Sequence, residues 1–309
     1  MISGLSASNE QFLASLNILQ NNLSQANEQL SSGLSVNQAS DAPQSLQDIF
    51  ETRAELGQAN QTVQNLTTIQ GQVQTAGGAL QSAIEMLTQA VSIGTQGAST
   101  STSLSTQQDL ATQIQGIQSQ LVAISNTEVG GVYVFSGDAS GSPPYKVDTS
   151  SPTGVDQLIT PQQSTLQIAG PTGVTFPISM TAQEIFDQQD SSGNPTANNA
   201  FAALTGLVQA LQSGNTTNIT QAVNNLQIAS DYVNSQTGFY GTAENNVSSA
   251  LNLAQKFQTQ DQAQLSGLED ADTATLAVEV TQASTALDAA MSAQAHKPTT
   301  TLFDYLPIG

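Results

Sequence analysis

Residues 128–145 read EVGGVYVFSGDASGSPPY, and they separate two long stretches of different composition. The chain of 309 residues has ten prolines, of which seven lie between Pro143 and Pro195. A proline inside a helix removes a hydrogen bond and clashes with the preceding turn, at a cost of ~3 kcal/mol or more. We therefore predict that the proline-free stretches 44–142 and 196–297 are helical and that the segment between them is not.

Apolar residues near both ends of the chain repeat with a helical period. From residue 12 to residue 30 they follow alternating steps of four and three residues, which is the spacing of a coiled-coil seam. Alanine occupies many seam positions and limits the area that a seam can bury, so we expect the terminal seams to need neighbouring copies. The terminal seam residues predicted to contact other subunits are Phe12, Leu16, Leu19, Leu23, Leu30, Leu276, Val280, Leu287 and Met291.

The longest predicted helix covers about residues 44–93, where two seven-residue apolar repeats run side by side. At 1.5 Å per residue it would be roughly 75 Å long. Pro43 fits the first turn of this helix, and Asp41 is predicted to cap its free N–H groups. The segment GTQGASTSTS at 94–103 is expected to end it.

The central segment has the features of β-structure. VYVF at 132–135 is predicted to be a strand, and TLQIAGPTGVTFPI at 165–178 a hairpin around GPTG. TAQE at 181–184 is a capping-box signature for a short helix. The glycines of VGG at 129–131 indicate a turn with positive φ, and the two prolines at 143–144 should prevent the helix from resuming.

The predicted fold is mainly α with a β-rich insertion. Both chain ends would form a long, antiparallel, coiled-coil-like helical rod that carries a small central β domain. The predicted segments are an N-terminal assembly helix (1–40), two rod portions (41–129 and 196–268), a β-rich outer domain (130–195), and a C-terminal assembly helix and tail (269–309).

The charge balance excludes several classes of function. The chain has 24 acidic and 4 basic residues, a net charge of −20, and no cysteine. It lacks the basic stripe that nucleic acid or an anionic membrane surface would require. The single histidine, His296, cannot by itself hold zinc or form a catalytic triad, so we expect no enzyme activity, metal or cofactor.

Acidic residues are concentrated in two places. We predict that Glu269, Asp270 and Asp272 form a polar helix start or an exposed turn and not a cation site, since calcium sites place ligands at alternating positions around a glycine turn. Asp187 and Asp190 are predicted to lie in a loop. The N-terminus has no basic or apolar region typical of a cleavable secretory signal, so secretion would need another route.

Three motifs resemble those of bacterial flagellins and hook-associated proteins. LSSGLSVNQASDAP at 30–43 is similar to their N-terminal signature, and SGLEDADTATLAVEV at 266–280 to their C-terminal one. NTEVGGVYVFSGDASGSPPY at 126–145 resembles the motif of the hook-filament junction family, hook-associated protein 3, as does the tail TLFDYL at 301–306. The motif residues carried over are Asp41, Pro43, Gly131, Tyr133, Phe135, Gly137, Pro143 and Pro144, with Leu302 and Phe303 in the tail as further contact residues.

The resemblance implies a structural protein of the bacterial flagellum that is exported without a cleavable signal and functions in motility outside the cell. It would assemble as a ring between hook-associated protein 1 on the proximal side and flagellin on the distal side, after binding a flagellar export chaperone. The termini would form the inner tube and the β domain would face outward. Gln29 and Ala42 depart from the arginine and aspartate common in the family, which puts particular salt bridges in question.

Two alternatives remain open from the sequence. The chain could be a minor flagellin that forms the filament itself. It could also be a secreted helical adhesin or glycan hydrolase that uses the β domain. This second alternative needs exposed aromatic residues or paired acids, and the stretch from the end of the motif to residue 195 offers Tyr145, Phe176 and Phe186 as its aromatics.

Overall fold

The computed structural model describes residues 2–160 and 162–296, with side chains from residue 9 onward. Its fold is mainly helical with a few small antiparallel sheets, as predicted. The helices are α1 (Ile2–Ser32), α2 (Leu46–Gly97), α3 (Leu104–Ser125), α4 (Ala182–Phe186), α5 (Ala200–Ser213), α6 (Thr216–Ser235), α7 (Thr237–Glu269) and α8 (Thr273–Ala295). The strands are β1 (Glu128–Val129), β2 (Val132–Tyr133), β3 (Tyr145–Val147), β4 (Val155–Gln157), β5 (Gln167–Ala169) and β6 (Thr175–Pro177).

The chain divides into two compact units. The terminal unit contains residues 1–58 and 257–309, and the central unit contains residues 59–256. Helices α2 and α7 each contribute one part to each unit.

In the terminal unit α1 packs against α8. An antiparallel bridge joins Leu34, just after α1, to Asp270, just before α8. Because the end of one helix lies beside the start of the other, the two helices run in opposite directions. This pair has the antiparallel arrangement that the two terminal seams predict.

The central unit has one continuous apolar core. The predicted seven-residue repeat of α2 points into it, since Val73, Leu80 and Leu87 are all buried. The face of α5 that carries Phe201 and Leu204 is also fully buried. The apolar periodicity therefore located the inward faces of both helices correctly.

The end of α2 lies further along the chain than predicted. The helix continues to Gly97, through two glycines that were expected to end it. A β-carbon on Gly94 would lie 2.6 Å from Val223 Cγ2, and one on Gly97 would overlap the Leu211 Cδ2 methyl group. These glycines allow neighbouring side chains to pack directly on the α2 backbone, so any larger residue would collide with those side chains.

The central segment forms three separate two-stranded sheets: β1–β2, β3–β4 and β5–β6. The predicted hairpin around GPTG is confirmed, with Ile168 opposite Phe176 in the register of β5 and β6. The predicted strand at VYVF is shorter than expected, because pairing stops at Tyr133 and the next two residues turn into the core. The predicted capping box is also confirmed: the Thr181 hydroxyl accepts from Glu184 N, and the Glu184 carboxylate accepts from Thr181 N.

Candidate assembly surface

The terminal helices bury their predicted seams only in part. Phe12, Leu16, Leu19 and Leu23 of α1 are half-buried, and Ala26 is the residue of that seam that is fully covered. On α8 the corresponding residues Leu276, Val280 and Leu287 face inward, and Leu276 is fully buried. Two further seam residues remain largely in solvent, Leu30 at 37% and Met291 at 58% exposure. Leu302 and Phe303 lie outside the described residues.

An open groove of about 520 Å³ runs between α1 and α8. Small apolar side chains, including Ala26 and Ala283, form part of its lining. Amide side chains form much of the rest, among them Asn22, Gln25 and Gln282. Such a groove can accept apolar side chains and can also form hydrogen bonds with a polypeptide backbone.

Backbone hydrogen bonds hold the two terminal signatures together. Ser35 N donates to Glu269 O at 2.6 Å, and Ala271 N donates to Gly33 O at 2.9 Å. Gly33 has a φ of +73°, which lets the chain leave α1 toward α7 and α8. Gln29 donates from Nε2 to Ser35 O at 2.7 Å and holds the same turn.

An ion pair supports this junction. Arg53 Nε lies 2.6 Å from Glu269 Oε1, with the arginine half exposed and the glutamate buried. The two groups are close without an aligned N–H···O hydrogen bond, so the contact is mainly electrostatic. It ties the first turns of α2 to the end of α7.

The turn before α2 differs from the prediction for Asp41. Its Oδ2 accepts hydrogen bonds from Asn37 N and Gln38 N, each at 2.9 Å. Asp41 therefore stabilises the preceding turn and does not cap α2, which begins at Leu46. Pro43 is exposed in this turn and lies outside the first helical turn where it was predicted.

The acidic residues at 269–272 have separate structural roles. Asp272 caps α8 by accepting from Ala274 N and Thr275 N, and the Thr275 hydroxyl and these N–H groups lower the pKa of its carboxyl. Asp270 is hydrogen-bonded to the Ser266 hydroxyl. The interpretation as a polar helix start is confirmed for Asp272, whereas Glu269 is buried at the end of α7. Among the described residues there is no group of three or more His, Cys, Asp or Glu that could hold a metal ion.

The motif at 126–145 closes on itself inside the central unit. The Asn126 amide donates from Nδ2 to Tyr145 O at 2.7 Å and accepts from Tyr145 N at 3.2 Å, which joins its first and last residues. Gly130 and Gly131 form the β1–β2 turn with φ values of +61° and +83°, as the sequence predicted. Beyond the turn, Tyr133 is half-buried.

The residues after β2 anchor the β segment to the helices. The Phe135 ring is fully buried and makes edge-on contacts with Phe186 and Tyr240, with ring centroids 5.9 and 6.1 Å apart. Gly137 has a φ of +58°, and a β-carbon there would overlap the Gln163 carbonyl. The two prolines at 143–144 lead directly into β3, so the chain continues as a strand and not as a helix.

A buried polar cluster, missed in the sequence, lies behind this motif. Tyr145 Oη donates to Asp187 Oδ2 at 2.9 Å, and Asn199 Nδ2 donates to Asp187 Oδ1 at 2.7 Å. Burial raises the pKa of the Asp187 carboxyl, while the hydrogen bonds from Asn199, Tyr145 and Gln189 oppose that rise. Asp187 lies in the loop after α4, as predicted, but its side chain is buried, which the sequence did not show. No pattern of spacing could show that it folds beneath Tyr145, 42 positions away.

The comparisons with known proteins agree with these motifs. Residues 3–140 match the model of the bacterial flagellin N-terminal helical region. The chain carries a flagellin-type N-terminal region. No curated protein is significantly similar to it in sequence.

Solved structures share the fold at low identity. A protein of Vibrio parahaemolyticus assigned as a flagellar hook-associated protein is similar over 74% of this chain and 100% of its own, with a TM-score of 0.63 and 17% identity. Flagellar hook-associated protein 3 of Legionella pneumophila is similar over 71% and 98%, with a TM-score of 0.59 and 13% identity. A structure of the flagellar junction protein FlgL from the same organism is similar over 72% of this chain and 99% of its own, with a TM-score of 0.53 and 12% identity. The chain therefore has the fold of these hook-associated proteins.

Within the described residues, no helix is long and apolar enough to cross a membrane. The three aromatics that a carbohydrate-binding alternative would use are buried in whole or in part. Tyr145 and Phe186 are fully buried, and Phe176 packs in half-buried form against the helices.

Proposed function

We propose that this chain is a structural protein of the bacterial flagellum that joins the hook-associated region to the flagellin filament. The observation that carries the proposal is a fold shared with hook-associated proteins over essentially their whole length, in a chain with a flagellin-type N-terminal region. The motif at 126–145 favours a junction protein over a minor flagellin because it resembles the junction family. No catalytic role is proposed.

In this role the segments 1–40 and 269–309 are the assembly helices, and the segment 130–195 faces outward. The half-buried seams of α1 and α8 support the first assignment, since apolar side chains that stay partly in solvent gain stability when a neighbouring copy covers them. Among the predicted seam residues that the structure describes, Met291 and Leu30 are the most exposed. The protein would form a ring, contacting hook-associated protein 1 proximally and flagellin distally, after export with a flagellar chaperone.

Deletion of the gene tests the proposal. Cells without the protein should build hooks and export flagellin but fail to retain it, so flagellin should accumulate in the medium while filaments are missing. Supplying the gene in trans should restore filaments. Normal filaments on the deletion strain would contradict the proposal, and purified protein that polymerises alone into long filaments would support the minor flagellin instead.

A further inference from the structure

The groove between α1 and α8 is lined by polar side chains that have no partner within the structure. The amides of Asn22, Gln25 and Gln282 form no hydrogen bond with another described residue. Between them the short side chains of Ala283 and Ala286 leave an open space of about 520 Å³. An occupant that offers apolar side chains and free backbone groups together would match both parts of this lining.

The chain itself contains such an occupant directly after α8. Residues 297–309 read KPTTTLFDYLPIG and lie outside the described residues. The two prolines lack an N–H and the three successive threonines have low helix propensity, so this sequence disfavours a helix and leaves its backbone groups without helical partners. In an extended chain Phe303 and Tyr305 point to one side, and Asp304 between them points to the other.

The length of this segment agrees with the position of the groove. Helix α8 ends at Ala295, and its part of the groove extends from Glu279 to Ala286. At 1.5 Å per residue, these two limits lie about 24 and 14 Å before the end of the helix. An extended chain advances about 3.3 Å per residue, so residues 297–302 cover about 20 Å. If the segment turns back along α8, residues 303–305 therefore lie beside the groove.

The route from the end of α8 to the groove is lined by small side chains. Ala289 and Ala293 follow Ala286 at helical spacing, and both are exposed. An extended backbone can therefore lie close to this side of the helix.

We propose that residues 297–309 dock in the α1–α8 groove of the same chain. Phe303 and Tyr305 lie against the alanines, where each aromatic ring removes a large apolar area from water. The free amides of the groove form hydrogen bonds with the backbone of the segment, and Asp304 faces solvent. The groove is thus an interaction surface for this chain's own terminal segment.

The covalent connection favours the same chain over a second copy as the source of the segment. A short linker holds its two ends at an effective concentration of about millimolar, far above that of separate chains in dilute solution. A second copy also carries a net charge of −20, which opposes the approach of two chains.

Docking within one chain does not depend on the proposed function. One consequence does rest on it: in the proposed ring, a neighbouring copy would have to displace residues 297–309 before it could cover the groove. The segment would then limit assembly until a neighbour with a larger contact area arrives.

Photo-crosslinking of the purified full chain tests the docking. Phe303→p-benzoylphenylalanine keeps an aromatic ring at this position and forms a covalent bond to whatever lies against it. An equal mixture of isotopically heavy and unlabelled chains separates products within one chain from products between two. We expect products within one chain, to peptides that contain residues 19–29 or 279–286.

Two variants of α8 provide the matched comparison. Ala286→Glu places a charged side chain in the groove, whereas Ser284→Glu adds the same charge at an exposed position outside the lining. Ala286→Glu should lower the crosslink yield roughly fivefold or more, because docking would bury an unpaired charge. Ser284→Glu should leave the yield unchanged, and circular dichroism checks that both variants keep their helix content.

Several outcomes would overturn the proposal: products that join a heavy to an unlabelled chain, products confined to other parts of the chain, no product, or equal yields from the two variants. The proposed function fails separately. Docking in the purified chain together with normal filaments on the deletion strain would remove the function and leave the docking, and loss of filaments without these products would do the reverse.

A single tryptophan gives an independent measurement. The chain has no tryptophan, so Tyr305→Trp introduces the only one. Acrylamide should quench its emission several-fold less efficiently than in the double variant that also carries Ala286→Glu, because the groove shields the docked ring from solvent. Equal quenching in the two proteins would contradict the docking.

Discussion

Gly137 shows how one residue of the central motif determines the local fold. Its φ of +58° is costly for any residue with a β-carbon, and that carbon would overlap the Gln163 carbonyl. The neighbouring Asp138 depends on this geometry, because its carboxylate accepts from both Thr165 N and the Thr165 hydroxyl. The glycine therefore joins the motif to the strand region that follows it.

Gly137→Ala is expected to destabilise the central unit by roughly 2–4 kcal/mol, from the backbone conformation and the displaced carbonyl together. Gly141→Ala is the control, since a β-carbon there meets nothing within 4 Å and φ is not in the left-handed region. Urea unfolding of both variants gives the comparison. Equal stability of the two would show that the 163–165 segment adjusts freely.

Asp187 makes the stability of the central unit depend on pH. Burial raises its folded pKa above its ordinary value, so the folded state holds a proton that the unfolded state has already lost. The contribution of this group to the free energy of unfolding is therefore fully present below the ordinary pKa and is lost as the pH rises through the folded one.

Asp187→Asn should remove this part of the pH dependence. As the pH rises above the ordinary pKa of an aspartate, the free energy of unfolding of the original chain should fall relative to that of the variant. Asp190→Asn provides the contrast, because the backbone N–H groups of Asn194 and Ser192 lower the pKa of Asp190. The contribution of Asp190 to the free energy of unfolding is therefore lost as the pH falls through its lowered pKa. Urea titrations between about pH 3 and 7 measure both, and identical profiles for the two variants would contradict the assignment.

At the scale of the helix, glycines in α2 serve two different purposes. Gly94 and Gly97 are buried where side chains of α5 and α6 pack onto the backbone. Gly71, in the same helix, is exposed, and a β-carbon there would meet nothing within 4 Å. Helix propensity alone favours alanine at all three sites by roughly 1 kcal/mol.

Alanine at the buried glycines and alanine at Gly71 are therefore expected to change the free energy of unfolding in opposite directions. Gly94→Ala and Gly97→Ala should each lower the unfolding free energy by about 1–2 kcal/mol, because overpacking outweighs propensity. Gly71→Ala should raise it by about 0.5–1 kcal/mol. Thermal unfolding measures all three, and stabilisation by Gly94→Ala would show that Val223 and Leu207 can move aside at little cost.

The helices were predictable because their apolar periodicity reflects local geometry. Most seam residues of α1, α2 and α8 face inward as the spacing requires, with Leu30 and Met291 as exceptions. The capping box at Thr181 needs only four consecutive residues. The errors concern long-range contacts. Gly97 was taken as part of a break because Leu211 is distant in sequence. The burial of Asp187 within its loop was missed because its partners, Tyr145 and Asn199, lie far along the chain or in another element.

At the scale of the whole molecule, the two units differ in how much of their stability is internal. The central unit has a continuous core of fully buried side chains. In the terminal unit α1 and α8 leave most seam residues half-buried, so additional partners can cover them. Hydrophobic stabilisation grows by ~25 cal/mol for each Å² buried, which makes assembly the favourable way to complete these seams.

The location of the protein on intact flagella tests the central proposal most directly. A short epitope inserted between Ser191 and Ser192, in an exposed turn, can be labelled with gold-conjugated antibody and seen by electron microscopy. The junction role predicts one narrow band of label on each flagellum, where the hook meets the filament. Label distributed along the whole filament, or none on flagella from cells that secrete the protein, would contradict it.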